Sequence, residues 1–181
     1  MKLLWLCGLG IALLCVPCAT FEEADRCGFD QLLGKWYLLA VATNCEWMIE
    51  HMTKEITASN ISRLEDGNFH VYTNFSTTYG CVEMEFIYTK LENGKYTYTT
   101  GFGDKIIDML KTDCDNYVIT VSTDLEPIED QVCKFVSLYD RTMSVSQSVE
   151  QLFEDQVAEL ELDPDQIIHL ANKLACTENN N

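Results

Sequence analysis

Residues 81–88 read CVEMEFIY, and apolar residues alternate with polar ones along most of this stretch. One face would carry Val82, Met84, Phe86 and Tyr88, and the other Cys81, Glu83, Glu85 and Ile87. A repeat of two residues is typical of a half-buried β-strand, and a helix cannot keep it. The stretch therefore predicts a strand with one face turned to water.

The same pattern extends in both directions from this strand. In residues 69–76, Phe69, Val71 and Phe75 alternate with His70, Tyr72 and Asn74. Turn-forming groups such as Glu92-Asn93-Gly94-Lys95 separate further segments rich in β-branched and aromatic residues. We predict eight antiparallel strands, at about 36–43, 56–64, 69–76, 81–90, 95–101, 105–111, 116–122 and 131–139. This all-β meander can close as a sandwich or as a barrel.

The apolar repeat changes after the strands. Val149, Leu152, Phe153, Val157 and Leu160 recur every three or four residues, which predicts a helix over about 146–161. Ser146 or Ser148 would cap this helix, and Asp163-Pro164 would end it. Its apolar stripe must be buried, and the outside of the sheet is the large surface on offer. Residues 166–170 then predict a short extra strand.

The beginning of the chain has the pattern of a secretory signal. Lys2 precedes a nearly wholly apolar run, and cleavage would follow Cys18 or Ala19. The run is shorter than the roughly 20 residues that a membrane span needs. We therefore expect residues 1–18 to be removed and residues 19–181 to form one secreted, extracellular domain.

The charge is strongly acidic, with 12 Lys plus Arg against 29 Asp plus Glu and a formal net charge of −17. Removing Lys2 leaves 11 minus 29, or −18, on the mature domain. A nucleic-acid binder needs basic residues that displace counterions from phosphates. The composition therefore excludes nucleic acid as a partner.

Three motifs stand in order on these elements: Gly34-Lys35-Trp36-Tyr37, Thr112-Asp113-Cys114-Asp115-Asn116-Tyr117 and Leu138-Tyr139-Asp140-Arg141-Thr142. Together they resemble the three motifs of the lipocalins, and the match covers about Cys27 to Cys176. The resemblance implies an eight-stranded antiparallel up-and-down β-barrel over about 34–141, with the C-terminal helix packed outside. In such a barrel Trp36 would plug the narrow end and Arg141 would lie over its indole ring. Gly34, Thr112 and Asp113 would complete this floor, and the 44–55 connection would lie at the open mouth.

Within the family the chain looks most like alpha-1-microglobulin, the gamma chain of the eighth complement component and lipocalin-type prostaglandin D synthase. These relatives share a disulfide that matches Cys81 and Cys176. The strand pattern agrees, because Cys81 lies on the outer face, where a tail running outside the barrel reaches it.

Cys45 has two interpretations. In the relatives the matching residue is unpaired near the mouth, available for redox or chromophore chemistry or for linkage to a secreted protein partner. Alternatively it bonds to Cys133, since both would lie at the mouth if Trp36 and Arg141 meet at the floor. By the same argument Cys27 and Cys114 both lie at the closed end. We favour three bridges, Cys81–Cys176, Cys45–Cys133 and Cys27–Cys114.

The resulting hypothesis is a secreted carrier of a small hydrophobic ligand. The predicted lining is Trp36, Leu38, Ala40, Phe69, Val71, Phe75, Met84, Phe86, Tyr88, Tyr96 and Tyr98. The alternative is an interior filled completely by these side chains. Ala40 and Ala42 are small and argue for space.

An enzyme is not expected. Prostaglandin isomerisation needs a cavity thiolate, and the position matching the catalytic cysteine is Ala58, which the resemblance places inward. His51, His70 and His169 are scattered, so neither a metal site nor a cofactor is predicted.

Asn60-Ile61-Ser62 and Asn74-Phe75-Ser76 are glycosylation sequons. Asn74 lies on the predicted solvent-facing side of its strand and is the better candidate.

Overall fold

The computed structural model describes residues 27–51, 53–77, 79–128, 130–174 and 176. The side chains of Trp47, His51 and Asn172 are not part of that description. The predicted signal at residues 1–18 also lies outside the described residues.

Eight strands form the barrel, and each lies within three residues of its predicted bounds. They are β1 Gly34–Thr43, β2 Glu55–Arg63, β3 Phe69–Thr77, β4 Gly80–Lys90, β5 Tyr96–Thr100, β6 Gly103–Thr112, β7 Tyr117–Asp124 and β8 Lys134–Asp140. A short helix α1, Glu46–His51, lies in the connection between β1 and β2. After the barrel come helix α2, Gln147–Glu159, and two short strands, β9 Ile168–His169 and β10 Ala171–Leu174.

The sheet closes on itself. Each strand from β1 to β8 pairs antiparallel with the next, and β1 also pairs with β8. Tyr37 of β1, for example, stands opposite Ala58 of β2 on one side and Asp140 of β8 on the other. The predicted eight-stranded up-and-down barrel is therefore confirmed, and the alternative of a sandwich does not apply.

A bulge in β1 changes which side chains face inward. Leu38 pairs with Tyr139 and Ala40 pairs with Leu138, so Leu39 is an extra residue on β1. An extra residue reverses the alternation of inward and outward side chains beyond it. Ala40 and Ala42 consequently lie on the outer face, in a buried cluster with Phe153 of α2. The prediction that Ala40 lines the interior, and that it leaves space there with Ala42, is wrong for this reason.

Helix α2 covers this outer patch, as predicted. Its apolar stripe includes Phe153 and Val157, both fully buried against β1, β7 and β8. Ser146 stands at the N-cap position but its side chain makes no capping hydrogen bond. Instead its hydroxyl lies 2.9 Å from that of Ser148. Because Ala40 and Ala42 of β1 have small side chains, they leave room on the outer face for Phe153 of the helix.

The C-terminal tail completes the wall of the barrel. Beyond the Leu38–Thr57 pair, β1 and β2 separate, and β9 pairs with Ala40 and Val41 while β10 pairs with the beginning of β2. Between the two short strands, Leu170 is buried and its N–H donates to the carbonyl of Leu39 at 2.8 Å. The single strand predicted at 166–170 is therefore two strands that bridge the gap between β1 and β2.

Candidate functional site

The floor of the barrel is built around Trp36. Its side chain is 1% exposed, and its indole Nε1 donates to the carbonyl of Leu32 at 2.6 Å. Leu32 ends a short 3₁₀ helix, Phe29–Leu32, which runs beneath the strands. Phe29 and Leu32 pack with Trp36 and Phe69 in one buried cluster. The segment preceding β1 therefore closes the lower end with apolar side chains.

Arg141 packs against the outer side of the floor. The carbon at the centre of its guanidinium lies 3.8 Å from the centroid of the Trp36 ring, which is the predicted cation–π contact. Its Nη1 also donates to the carbonyl of Lys35 at 2.9 Å. A side chain at Gly34 would meet this group, because a Cβ built there falls 3.4 Å from Arg141 Nη1. Gly34 also has a φ of +93°, which residues with a side chain seldom adopt.

The second motif holds the turn between β6 and β7 at the same end. The Thr112 hydroxyl donates to the carbonyl of Tyr117 at 2.6 Å. The Asp113 carboxylate accepts from the backbone N–H groups of Asn116 at 2.8 Å and Tyr117 at 3.0 Å. Although partial burial raises the pKa of Asp113, these hydrogen bonds and that of the Asn116 side chain outweigh it, so the pKa lies below its ordinary value. The predicted floor residues therefore do meet at one end.

An apolar cavity of about 40 Å³ lies directly above this floor. Its walls are Phe29, Leu32, Trp36, Ser59, Ile61, Val71, Tyr88, Ile107, Val118, Thr120 and Tyr139. Pockets that bury drug-sized ligands measure about 300–1,000 Å³. The cavity is thus too small for a drug-sized ligand as it stands. A guest of that size would occupy the cavity with one apolar end and displace the side chains above it.

The predicted lining divides into three groups. Trp36, Val71 and Tyr88 line the cavity, and Phe69 and Tyr96 pack in the floor cluster around it. Five more predicted residues lie on the inner face, because the strand register gives them the same orientation as cavity-lining residues: Leu38, Phe75, Met84, Phe86 and Tyr98. Ala40 lies outside, as described above. Sequence reasoning missed Phe29 and Leu32, which precede the first strand, and the inward residues of β2, β6, β7 and β8.

Aromatic rings occupy the interior above the cavity. The ring of Tyr98 lies 4.8 Å from that of Tyr88 and 5.4 Å from that of Phe86. The Tyr98 hydroxyl lies 2.6 Å from the Ser122 hydroxyl. Burial raises the pKa of Tyr88, Tyr98 and Tyr139 above the ordinary value. All three phenols are therefore neutral at physiological pH and can donate hydrogen bonds inside the barrel.

A buried ion pair lies nearer the mouth. Lys105 of β6 stands opposite Tyr98 and Asp124 in the register, and its ammonium group pairs with the Asp124 carboxylate. The side chains are 9% and 3% exposed, respectively. Lys105 Nζ also lies 4.9 Å from the centroid of the Phe135 ring. Sequence reasoning missed this pair, although the alternation from Ile107 to Lys105 would have indicated that the lysine faces inward.

The described cysteines form the three expected bridges. The structure joins Cys27 to Cys114 at the floor, Cys45 to Cys133 at the mouth and Cys81 to Cys176 on the outside. Cys45 and Cys133 are 0% and 1% exposed. The alternative of an unpaired Cys45, available for redox, chromophore or linkage chemistry, is therefore wrong for this structure.

Ala58 does not face the interior. It pairs with Tyr37 and Asn74, whereas its neighbour Ser59 lines the cavity. The expectation that Ala58 points inward is thus wrong, and the inward positions beside it are Thr57 and Ser59. Neither residue carries a thiol.

The two sequons both lie on the outer face of the barrel. Asn60 is exposed, whereas Asn74 is half-buried and its Oδ1 atom is buried without a hydrogen-bond partner. The structure therefore favours Asn60, the reverse of the order that the sequence suggested.

Metal-ligating side chains and membrane-spanning helices were considered for the described residues only. In this part of the chain no three His, Cys, Asp or Glu side chains are grouped so that they would hold a metal ion. Among the same residues, no helix has the length and apolar character needed to cross a membrane.

Comparison with known proteins places these observations in a family. A family model for the lipocalin / cytosolic fatty-acid binding proteins matches residues 33–174. The chain is 28% identical over 148 residues to an olfactory protein of Lithobates pipiens, covering 81% of this chain and 82% of that one. It is 25% identical over 172 residues to the extracellular fatty acid-binding protein of Coturnix japonica, covering 93% and 94%.

Two further similarities bear on the fold and on the predicted relatives. A solved structure of the siderocalin Ex-FABP superposes with a TM-score of 0.67 at 20% identity, covering 82% of this chain and 97% of that one. A prostaglandin-H2 D-isomerase of Sus scrofa is 24% identical over 153 residues, covering 82% and 80%. The first similarity supports the fold alone.

Proposed function

The chain belongs to the lipocalin / cytosolic fatty-acid binding protein family, and from that premise we propose that it is a secreted carrier of a small hydrophobic ligand. The single observation that carries the proposal is the apolar cavity above the Trp36 floor. The closed floor leaves the mouth as the entrance, and an apolar guest gains free energy when it leaves water for such a site.

The guest enters through the mouth and comes to lie between the floor and the aromatic rings. Because the cavity holds only about 40 Å³, a ligand of ten or more heavy atoms must turn Tyr88 and Tyr98 aside. Rotating Tyr98 breaks its contact with Ser122, which costs about 0.5–1.5 kcal/mol for an ordinary hydrogen bond. Burial of the guest's apolar surface contributes about 25 cal/mol per Å², so a buried apolar area above roughly 60 Å² offsets this cost.

Secretion and the domain boundaries form part of the same proposal. The pattern of residues 1–18 supports export and cleavage, and three disulfides are typical of an oxidising compartment. The extracellular fatty acid-binding proteins among the relatives are consistent with this location.

We propose no catalytic role. The prostaglandin isomerase among the relatives is 24% identical, and its type of chemistry requires a reactive cavity thiol. The six described cysteines are all in disulfides, so the described interior offers no such nucleophile.

The carrier function is tested by titration with N-phenyl-1-naphthylamine, a neutral dye that fluoresces in apolar surroundings. We expect saturable binding to the secreted protein and its displacement by decanol. The Val71→Phe variant would fill the cavity and weaken dye binding at least about tenfold. Ile87→Phe makes the same kind of change on the exposed outer face of β4 and should bind as the parent does. Equal weakening by both variants, or no binding by the parent, would contradict the proposal.

A further inference from the structure

The buried Lys105–Asp124 pair lies where the polar end of a guest would rest. Lys105 comes two residues before the cavity-lining Ile107 on β6, which places its Cα roughly 7 Å nearer the mouth. Both side chains are more than nine-tenths buried on the inner face. A guest with its apolar end in the cavity must therefore pass this pair.

The pair is held in place on both sides. One carboxylate oxygen of Asp124 pairs with Lys105, and the other accepts the backbone N–H of Cys133 at 3.2 Å. Cys133 is in turn bonded to Cys45 of the β1–α1 connection. The ring of Phe135 packs beside the ammonium group at 4.9 Å. Asp124 therefore cannot swing away to make room for a second anion.

The pair also has unused hydrogen-bonding capacity. An ammonium group has three N–H donors, and the structure describes one hydrogen bond for the ammonium group of Lys105, to Asp124. Each carboxylate oxygen can accept more than one hydrogen bond. A hydroxyl group can accept from Lys105 and donate to Asp124 at once, leaving the charges balanced. A carboxylate would instead bring a second negative charge beside Asp124 in a site of low dielectric.

We infer that the Lys105–Asp124 pair selects ligands with a neutral hydroxyl end, such as a fatty or terpenoid alcohol, over the corresponding carboxylates. This inference rests on the proposed carrier function and names the chemical class of its ligand. The acidic surface acts in the same direction, because the net charge of −17 repels anions as they approach.

The experiment compares decanol with decanoate as competitors of the neutral dye at about pH 8, where the carboxylate is ionised. We expect decanol to bind at least about tenfold more tightly. In the Asp124→Asn variant Lys105 becomes an unbalanced cation, and the ratio should shift at least about tenfold toward decanoate. Asp108→Asn makes the same charge change on the outer face of β6, the strand that carries Lys105, and there Asp108 pairs with Lys95 at 2.8 Å. This control should keep the ratio of the parent.

The outcomes separate the two proposals. If the dye and both competitors fail to bind the parent protein, the carrier function fails. If decanoate binds the parent as tightly as decanol, the selectivity inference alone is overturned. If Asp124→Asn does not fold, the comparison of decanol with decanoate on the parent protein still tests the inference. A Lys105→Gln/Asp124→Asn double variant is then the second test, and we expect it to lose most of the preference for decanol. Should Asp108→Asn shift the ratio as far as Asp124→Asn, the effect belongs to net charge and the inference is overturned.

Discussion

Arg141 lies over the outer face of Trp36, 3.8 Å from the ring centroid, and joins the end of β8 to the beginning of β1 at the floor of the barrel. The same guanidinium donates to the carbonyl of Lys35 on β1. One side chain thus connects the first and last strands of the closed ring and covers the indole that seals it.

Replacing Arg141 by Met should therefore destabilise the fold. The substitution removes both the cation–π contact and the hydrogen bond to Lys35, and we expect the free energy of unfolding to fall by about 1–2 kcal/mol. Urea unfolding followed by circular dichroism measures the change. Lys90→Met, on the exposed end of β4, is the control and should stay within about 0.5 kcal/mol of the parent.

Gly34→Ala tests the backbone beneath this contact. Gly34 has a φ of +93°, and an added Cβ would fall 3.4 Å from Arg141 Nη1. We expect a loss of about 1–2 kcal/mol from the left-handed backbone alone. Gly28→Ala is the matched comparison, because Gly28 has a φ of −87° and open space around its Cα. If the two variants unfolded at the same urea concentration, the argument from the left-handed backbone of Gly34 would be wrong.

Alkaline pH should destabilise the barrel through its buried phenols. Burial raises the pKa of Tyr88, Tyr98 and Tyr139, so the unfolded chain releases these protons at lower pH than the folded one. The unfolded state then binds fewer protons, and the free energy of unfolding falls as the pH rises above about 10. Each phenol contributes a slope of up to about 1.4 kcal/mol per pH unit. Urea unfolding at a series of pH values measures the slope, which Tyr98→Phe should reduce and the exposed Tyr79→Phe should not.

Removing the Cys81–Cys176 bridge should loosen the tail before the rest of the barrel. We expect the Cys81→Ser/Cys176→Ser variant to lose about 2–4 kcal/mol of stability. Faster hydrogen exchange should appear at the N–H groups of Leu170 and Ala171, which bond to Leu39 and Lys54. Amides of the β3–β4 pair serve as the internal reference. Uniform acceleration throughout the sheet would show that the tail is not a separate unit.

Asn60 should carry the glycan when the protein is secreted from eukaryotic cells. Its side chain is exposed, whereas that of Asn74 is half-buried. Enzymatic removal of N-glycans, followed by mass measurement of the intact chain, counts the occupied sites. We expect Asn60→Gln to abolish most of the mass change and Asn74→Gln to leave it in place; the opposite result would restore the order expected from the sequence.

Strand alternation predicted the interior well where no irregularity interrupts it. Phe69, Val71, Met84, Phe86 and Tyr88 all lie on the predicted face because the β3–β4 register runs without a shift. The same reasoning failed for Ala40, because the bulge at Leu39 contains no glycine or proline that would indicate it in the sequence. A single extra residue was enough to move Ala40 from the predicted cavity to the contact with α2.

The charged interior was harder to predict for a different reason. A lysine on a strand is by default assigned to the wet face, because burying an unpaired charge is costly. Lys105 is buried because Asp124 stands opposite it on the neighbouring strand, and that pairing depends on the β6–β7 register. The pairs Cys45–Cys133 and Cys27–Cys114 were easier to predict, because the meeting of Trp36 and Arg141 fixes which connections share an end of the barrel. The Cys81–Cys176 pair was implied by the resemblance to lipocalins that share this bridge.

The position of the tail in the wall has a consequence for biosynthesis. Residues 168–174, which bridge β1 and β2, leave the ribosome more than 120 positions after β1. Until they emerge, the unpaired edges of both strands stay exposed to other nascent polypeptides, as free strand edges do. A premature stop before Ile168 would therefore yield a chain that is prone to aggregate, even though every residue of the eight barrel strands had been made.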